Sequence, residues 1–311
     1  MPRFCMNRPE RTSVAAVAVS VAVAVAIAWA GSQGGAAVGD LPVFALCGGL
    51  AFGINWLVFM PAYVFQTERY FDLTGSLTYL SLIGVSLVLS GEPDLRAIIL
   101  GTMVAVWAVR LGSFLSARIR RDGRDGRFDA LKPSLPRFFI AWTLQSLWVL
   151  LTLSCALAAM TTTRSEPLGA FVWVGGLIWI LGFSIEAVAD LQKWRFRANP
   201  TNRDHFIQSG LWAWSRHPNY FGEITLWFGV AVVAFPALNG WQYVTLTSPF
   251  FVYVLLTRIS GIPFLEPRAQ EKWGDRVEYR AYTERTPILF PRPPQSAFSH
   301  KGSKTESVKS G

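Results

Sequence analysis

Cysteine, histidine and charge are all scarce in this chain of 311 residues, which holds three Cys, three His and only 16% charged residues. Cys5, Cys47 and Cys155 stand far apart with no C-x-x-C spacing, which excludes a disulfide framework and a zinc knuckle and leaves them to act as small buried hydrophobes. His205, His217 and His300 form no close pair, so no metal site is expected. There is no G-x-G-x-x-G and no P-loop pattern, and the glycines between 31 and 39 follow no strand, which excludes a soluble Rossmann domain. No internal repeat occurs. What the chain has in abundance is apolar side chain. With 51% hydrophobic residues, 14% aromatic residues and a mean hydropathy of +0.32, it carries too much for one soluble core.

The apolar residues come in runs. Ser13 to Ala30 is free of charge, and its Ala28-Trp29-Ala30 before Gly31 has the form of a signal-peptidase site. Further runs cover Leu41 to Phe65, Leu73 to Ser90, Leu95 to Ala117, Phe138 to Met160, Leu168 to Ala189 and Phe221 to Leu238. A shorter run from Tyr243 to Leu256 is brief enough to dip into a bilayer rather than cross it. About 20 mostly apolar residues suffice to span the hydrocarbon. The expected fold is therefore an all-α polytopic membrane bundle of about eight spans, seven if the first is cleaved. The expected organisation is an N-terminal segment 1–12, five spans over 13–160, a C-terminal domain over 161–292 and a disordered Ser/Lys/Gly tail over 293–311.

The net charge of +9 follows the loops. With the N-terminus in the cytosol, 26 of the 29 Lys and Arg fall on the cytosolic side, two in outer loops and Arg110 in a span. The positive-inside rule demands that asymmetry, and it accounts for the basic balance without nucleic acid. Both termini are then expected in the cytosol, together with the basic loop around Arg118, Arg120, Arg121, Arg124 and Arg127. These arginines act as topology determinants or as contacts for anionic lipid.

One polar stretch, Glu186 to Glu223, lies between two apolar runs, and polar groups at membrane depth are costly unless they serve a wet or ligand-filled cavity. Glu186, Asp190, Lys193 and Arg197 follow helical spacing and share one face if the sixth helix continues past the membrane. Two carboxylates and two cations suit a ligand with both hydroxyl and phosphate groups, or else form a solvated helix end. Arg216-His217-Pro218-Asn219-Tyr220 then leads through Gly222 to Glu223. Pro218 fixes the start of the next span, and Asn219 and Glu223 stand one turn apart where it enters the membrane.

Residues from about 170 to 292 resemble the steroid 5-alpha reductase C-terminal domain, in the branch of multi-span proteins built on it. The resemblance rests on Gly210-Leu211 and on Ser215-Arg216-His217-Pro218-Asn219-Tyr220-Phe221-Gly222-Glu223, which is also similar to the R-H-P-N-Y-x-G-acid motif of the sterol C14 and C7 reductases. Lys272-Trp273-Gly274, Tyr279, Tyr282 and Pro291 are similar to the same reductases, and Asp72 to Ser76, Arg110-Leu111 and Asp125 to Phe128 match the multi-span branch. The resemblance implies an integral membrane oxidoreductase that passes hydride from NADPH to an activated carbon–carbon double bond of a lipid. It implies cofactor contacts from Glu186, Asp190, Arg197, Asn219 and Glu223, with Glu186 standing where the steroid reductases have Asn. Lys193, Arg216, His217, Tyr220, Tyr279 and Tyr282 complete the expected cofactor set. For the catalytic acid on an early helix, Glu68 is the nearest match, with Tyr79 as a second donor. The sequence is also similar to the isoprenylcysteine carboxyl methyltransferases, which place R-H-P and a later Glu-Glu pair around a pocket for S-adenosylmethionine. Here Glu266-Pro267 stands in that place.

Overall fold

The computed structural model describes residues 8–294. Cys5, His300, most of the N-terminal segment and the tail from residue 295 on lie outside the described residues. Among the described residues eight helices are long and apolar enough to cross a membrane, and the chain is a multi-pass helical membrane protein. The helices are α1 (Arg8–Gly31), α2 (Val43–Val64), α3 (Phe71–Leu89), α4 (Leu95–Asp122), α5 (Leu135–Thr161), α6 (Ala170–Ala198), α7 (Pro218–Ala234), α8 (Thr247–Val254), α9 (Gly261–Trp273) and α10 (Val277–Arg285). Between α1 and α2 a two-residue hairpin, β1 (Ala37–Val38) with β2 (Leu41–Pro42), turns the chain back in the glycine-rich loop.

The boundaries follow local chemistry. Asp94 caps α4 by accepting from the Ala97 N–H at 2.7 Å, and Gly123, at φ +80°, ends the same helix with its N–H on the Ile119 carbonyl. The eighth run is longer than the sequence pattern implied. Helical structure continues from Gly240 to Trp273, through a 3-10 stretch (Gly240–Leu246), α8, a π-turn (Leu255–Ile259) and α9.

By their contacts the residues divide into two compact units. The first comprises Met1–Phe183 with Ile224–Leu255, the second Ser184–Glu223 with Leu256–Gly311. In the first, α5 is the central rod, packed against α1, α2, α3, α4 and α8. Its interior holds a hydrogen-bonded polar chain: Gln145 Nε2 donates to Asn55 Oδ1 and to the Phe71 carbonyl, each at 2.9 Å, and Asn55 Nδ2 donates to Thr78 Oγ1 at 3.2 Å. Membrane helices are tied by bonds of this kind and by close contact at small residues. At the α6–α7 crossing a Cβ on Gly229 would stand 2.6 Å from the Trp179 nitrogen, and one on Gly175 would stand 2.7 Å from the Gly229 carbonyl oxygen. Trp173, Leu177, Ile180 and Leu181 of α6 are exposed, as a lipid-facing stripe requires.

Arg96, in the first turn of α4, is buried and bonded to backbone carbonyls. Its Nη1 donates to the Val233 carbonyl at 2.9 Å and its Nη2 to the Pro167 carbonyl at 2.8 Å, so a guanidinium caps the carbonyl end of α7.

Candidate functional site

The second unit begins with the last turns of α6. Ser184 to Ala198 contains no Gly or Pro, and the helix runs on until Asn199, where the following Pro200 disfavours helical backbone. The continuity puts Glu186, Asp190, Lys193 and Arg197 on one face. Glu186 and Asp190 are buried at 2% and 8% exposure, Lys193 holds its Nζ 4.3 Å from the centre of the Trp212 ring, and Arg197 is exposed at the helix end. Trp212 is itself fixed, its indole N–H donating to the Ala189 carbonyl at 3.0 Å and its own carbonyl accepting from the Tyr282 hydroxyl at 2.8 Å.

The R-H-P-N segment is held by its backbone. Ser215 Oγ donates to the Leu289 carbonyl at 2.8 Å and accepts from the His217 N–H at 3.1 Å. The Arg216 N–H donates to the Pro287 carbonyl at 2.9 Å, and the Arg292 N–H donates to the Trp214 carbonyl at 3.0 Å. Pro218 opens α7 at the position where its missing N–H costs nothing. Asn219 and Glu223 therefore lie in the first two turns of that helix, and Asn219 Nδ2 donates to Asp190 Oδ1 at 3.3 Å, joining the stripe on α6 to the start of α7.

Across from this segment stands Glu266 of α9. One of its oxygens pairs with Arg216 Nη1, and the other lies 2.7 Å from His217 Nε2. Tyr220 stacks on His217 with ring centres 5.4 Å apart and planes within 7°, and Gly261 makes room for it, since a Cβ there would come within 2.5 Å of the Tyr220 ring. Burial pushes the His217 imidazole below its usual range, against the opposing pull of Glu266, so the neutral form prevails at neutral pH. With an ionised Glu266 accepting from Nε2–H, the lone pair lies on Nδ1. That atom, Arg216 Nε and Asn219 Oδ1 are buried and make no hydrogen bond among the described residues. Tyr279 and Tyr282 are buried close by, and burial pushes both phenols above their ordinary range.

All eleven residues expected around a cofactor thus belong to the second unit. Glu266, expected only as part of a methyltransferase pattern, is the acid on which Arg216 and His217 converge. The available signal was the carboxylate just beyond the last apolar run, in a chain whose Arg216-His217 pair has no acid next to it in sequence. Glu68 and Tyr79 belong to the first unit. Glu68 is buried, accepts from Lys132 Nζ at 2.6 Å and takes the Asp125 N–H at 2.9 Å, while Tyr79 sits edge-on to Trp107 at 5.2 Å and to Trp148 at 5.9 Å. These contacts give both residues a part in holding the bundle together.

A family model described as a protein of unknown function, DUF1295, matches residues 58–286. An uncharacterized protein of Schizosaccharomyces pombe is 24% identical over 227 residues, which is 63% of this chain and 64% of the relative. The chain thus spans about two-thirds, just short of it, of the length of the curated relative it matches. No solved structure matches.

Proposed function

We propose, from the premise that the chain belongs to the DUF1295 family and crosses the membrane in several helices, that it is an oxidoreductase reducing an activated carbon–carbon double bond of a lipid at the expense of NADPH. The observation that carries this reading is the junction of the two acid-containing pairs: Glu186/Asp190 on α6 and Asn219/Glu223 on α7 meet through the Asp190–Asn219 bond. The buried, unsatisfied acceptors His217 Nδ1 and Asn219 Oδ1, with the donor Arg216 Nε, fit a ligand bearing both donors and acceptors, as ribose hydroxyls and a carboxamide do. Bound NADPH would supply a hydride. Asn219 and Glu223 would orient its carboxamide, His217 would accept from a hydroxyl, and Arg197 and Arg216 would take phosphate by charge-assisted bonds. Glu266 holds Arg216 and the neutral tautomer of His217 in place for that task.

A second reading, methyl transfer from S-adenosylmethionine, is favoured by Glu266 itself, because one acid answering both the Arg and the His of R-H-P is the pattern similar to the isoprenylcysteine carboxyl methyltransferases. Thermal unfolding of the detergent-solubilised protein decides between them. A ligand at about 100 times its dissociation constant stabilises by about 2.7 kcal/mol. NADPH is expected to raise the melting temperature and S-adenosylmethionine to leave it unchanged, and the reverse result replaces the first reading with the second.

A further inference from the structure

Beyond the α6 stripe the second unit has an open groove of about 360 Å³, lined among others by Phe196, Asn202, His205, Phe206, Gln208 and Ser209. None of the residues that line it carries a carboxylate, an amine or a guanidinium, although the surrounding chain supplies Arg195, Arg197, Arg203 and Asp204. A groove lined by amides, hydroxyls, an imidazole and aromatic rings in charged surroundings suits a neutral ligand part that can hydrogen-bond.

The groove is held in shape from several sides. Lys272 Nζ donates to the Arg203 carbonyl at 3.2 Å and the Trp273 indole to the Asp204 carbonyl at 3.0 Å, fixing the loop against the end of α9. Phe206 is wedged edge-on against Tyr279 at 5.0 Å and also meets Tyr282 and Trp273. Its ring is therefore a rigid wall. The polar edge is equally defined. Asn202 Nδ2 is spent on the Phe196 carbonyl at 2.9 Å, which turns Oδ1 into the available acceptor. Gln208 Oε1 is spent on Arg285 Nη2 at 2.8 Å, which leaves Nε2 as the available donor.

We infer that this groove takes the adenine base of a nucleotide, stacked on Phe206, with the exocyclic amine donating to Asn202 Oδ1 and a ring nitrogen accepting from Gln208 Nε2. A neutral planar heteroaromatic that can donate to one amide oxygen and accept from one amide N–H is the ligand that such a lining and such a wall select. The inference rests on the reading that this unit holds an adenine-bearing cofactor, a part common to NADPH and S-adenosylmethionine.

The probes are ADP and inosine diphosphate, titrated calorimetrically against the full-length protein in detergent. Inosine replaces the amine by a carbonyl and places a hydrogen on the neighbouring ring nitrogen, so both contacts are reversed. ADP is expected to bind about tenfold more tightly than inosine diphosphate, and Asn202→Ala, which removes the acceptor together with the bond to the Phe196 carbonyl, is expected to bring the two within about twofold of each other. Equal binding of the two by the unchanged protein, no binding of ADP, or a preference that survives both Asn202→Ala and Gln208→Ala would overturn the inference. The two readings fail separately. ADP bound with the expected preference while NADPH neither stabilises the protein further nor is oxidised removes the reductase and leaves the groove. Oxidation of NADPH by an enone lipid with no preference between ADP and inosine diphosphate removes the groove and leaves the reductase.

Discussion

Arg216, His217 and Glu266 depend on one another. A guanidinium taken largely out of water needs its counter-charge, and removing one member of a buried pair costs about 3–5 kcal/mol. Glu266→Gln is expected to lower the unfolding free energy by about 3 kcal/mol, as read by chemical denaturation in detergent, and Glu266→Asp to recover part of it. His217 adds a pH dependence. Its imidazole lies below the usual range in the fold, so between the ordinary histidine pKa and the lowered one the unfolded chain binds the proton and the folded chain does not. Its neutral form therefore contributes stability that is present above the ordinary histidine pKa and lost as pH falls through the lowered value. Cofactor affinity that uses the Nδ1 lone pair should follow the same course, flat from pH 7 to 8 and falling on acidification, and His217→Gln should flatten the profile. If Glu223 orients the nicotinamide, Glu223→Gln is expected to retain the melting temperature and to slow single-turnover hydride transfer at least tenfold. An unchanged rate removes Glu223 from the mechanism.

At the scale of single residues, which side chains share a face was more legible in the sequence than whom they meet. Helical spacing was enough to align Glu186, Asp190, Lys193 and Arg197, because position along a helix fixes the face. The bond from Asn219 to Asp190 and the pairing of Glu266 with Arg216 and His217 join positions 29, 50 and 49 residues apart, and no local periodicity encodes that distance.

Among the elements, long apolar runs announced seven of the spanning helices, since hydrocarbon length sets a minimum that the sequence must meet, while the eighth showed only as the short run Tyr243 to Leu256. The ends were harder to read. α4 carries Arg118, Arg120 and Arg121 in its final turns, where cations complement the carbonyl end of the helix, although the apolar run stops at Ala117. The α6–α7 crossing leaves no room for a methyl group on Gly229. Overpacking costs about 1–3 kcal/mol, so Gly229→Ala is expected to lower stability by about that amount, whereas Gly176→Ala, with open space around it, is expected to be neutral. The loop before α5 is tied to the α2–α3 connection by Glu68 and Lys132. Burial alone would push the Glu68 carboxyl up, yet the bonds from Lys132 and the Asp125 N–H outweigh it and hold it below the usual range. The bond from Glu68 raises the Lys132 amine. The pair thus stabilises the fold on a plateau between the two titrations. Its carboxylate contribution is lost as pH falls through the lowered Glu68 pKa, and its amine contribution as pH rises through the raised Lys132 pKa. Lys132→Met should raise the acid midpoint of unfolding.

For the whole molecule, the charge asymmetry puts the loop at Arg124 and the stretch at Arg203 on the cytosolic side under the proposed topology. Single cysteines at those two positions, on a background without the native ones, should resist an impermeant thiol reagent in intact cells and react after permeabilisation. Reaction from outside at either position discards the topology. Arg96 shows what such a tally leaves out, because its guanidinium is folded into the protein and bonded to carbonyls far ahead in the chain. Those carbonyls belong to Pro167 and Val233, which leave the ribosome 71 and 137 residues after Arg96 does. The partners of Arg96 are thus made after α4, and the clamp closes only when α7 arrives. This corner of the bundle is completed from its far end, since a nascent chain that stops before Val233 lacks one of the carbonyls that hold Arg96.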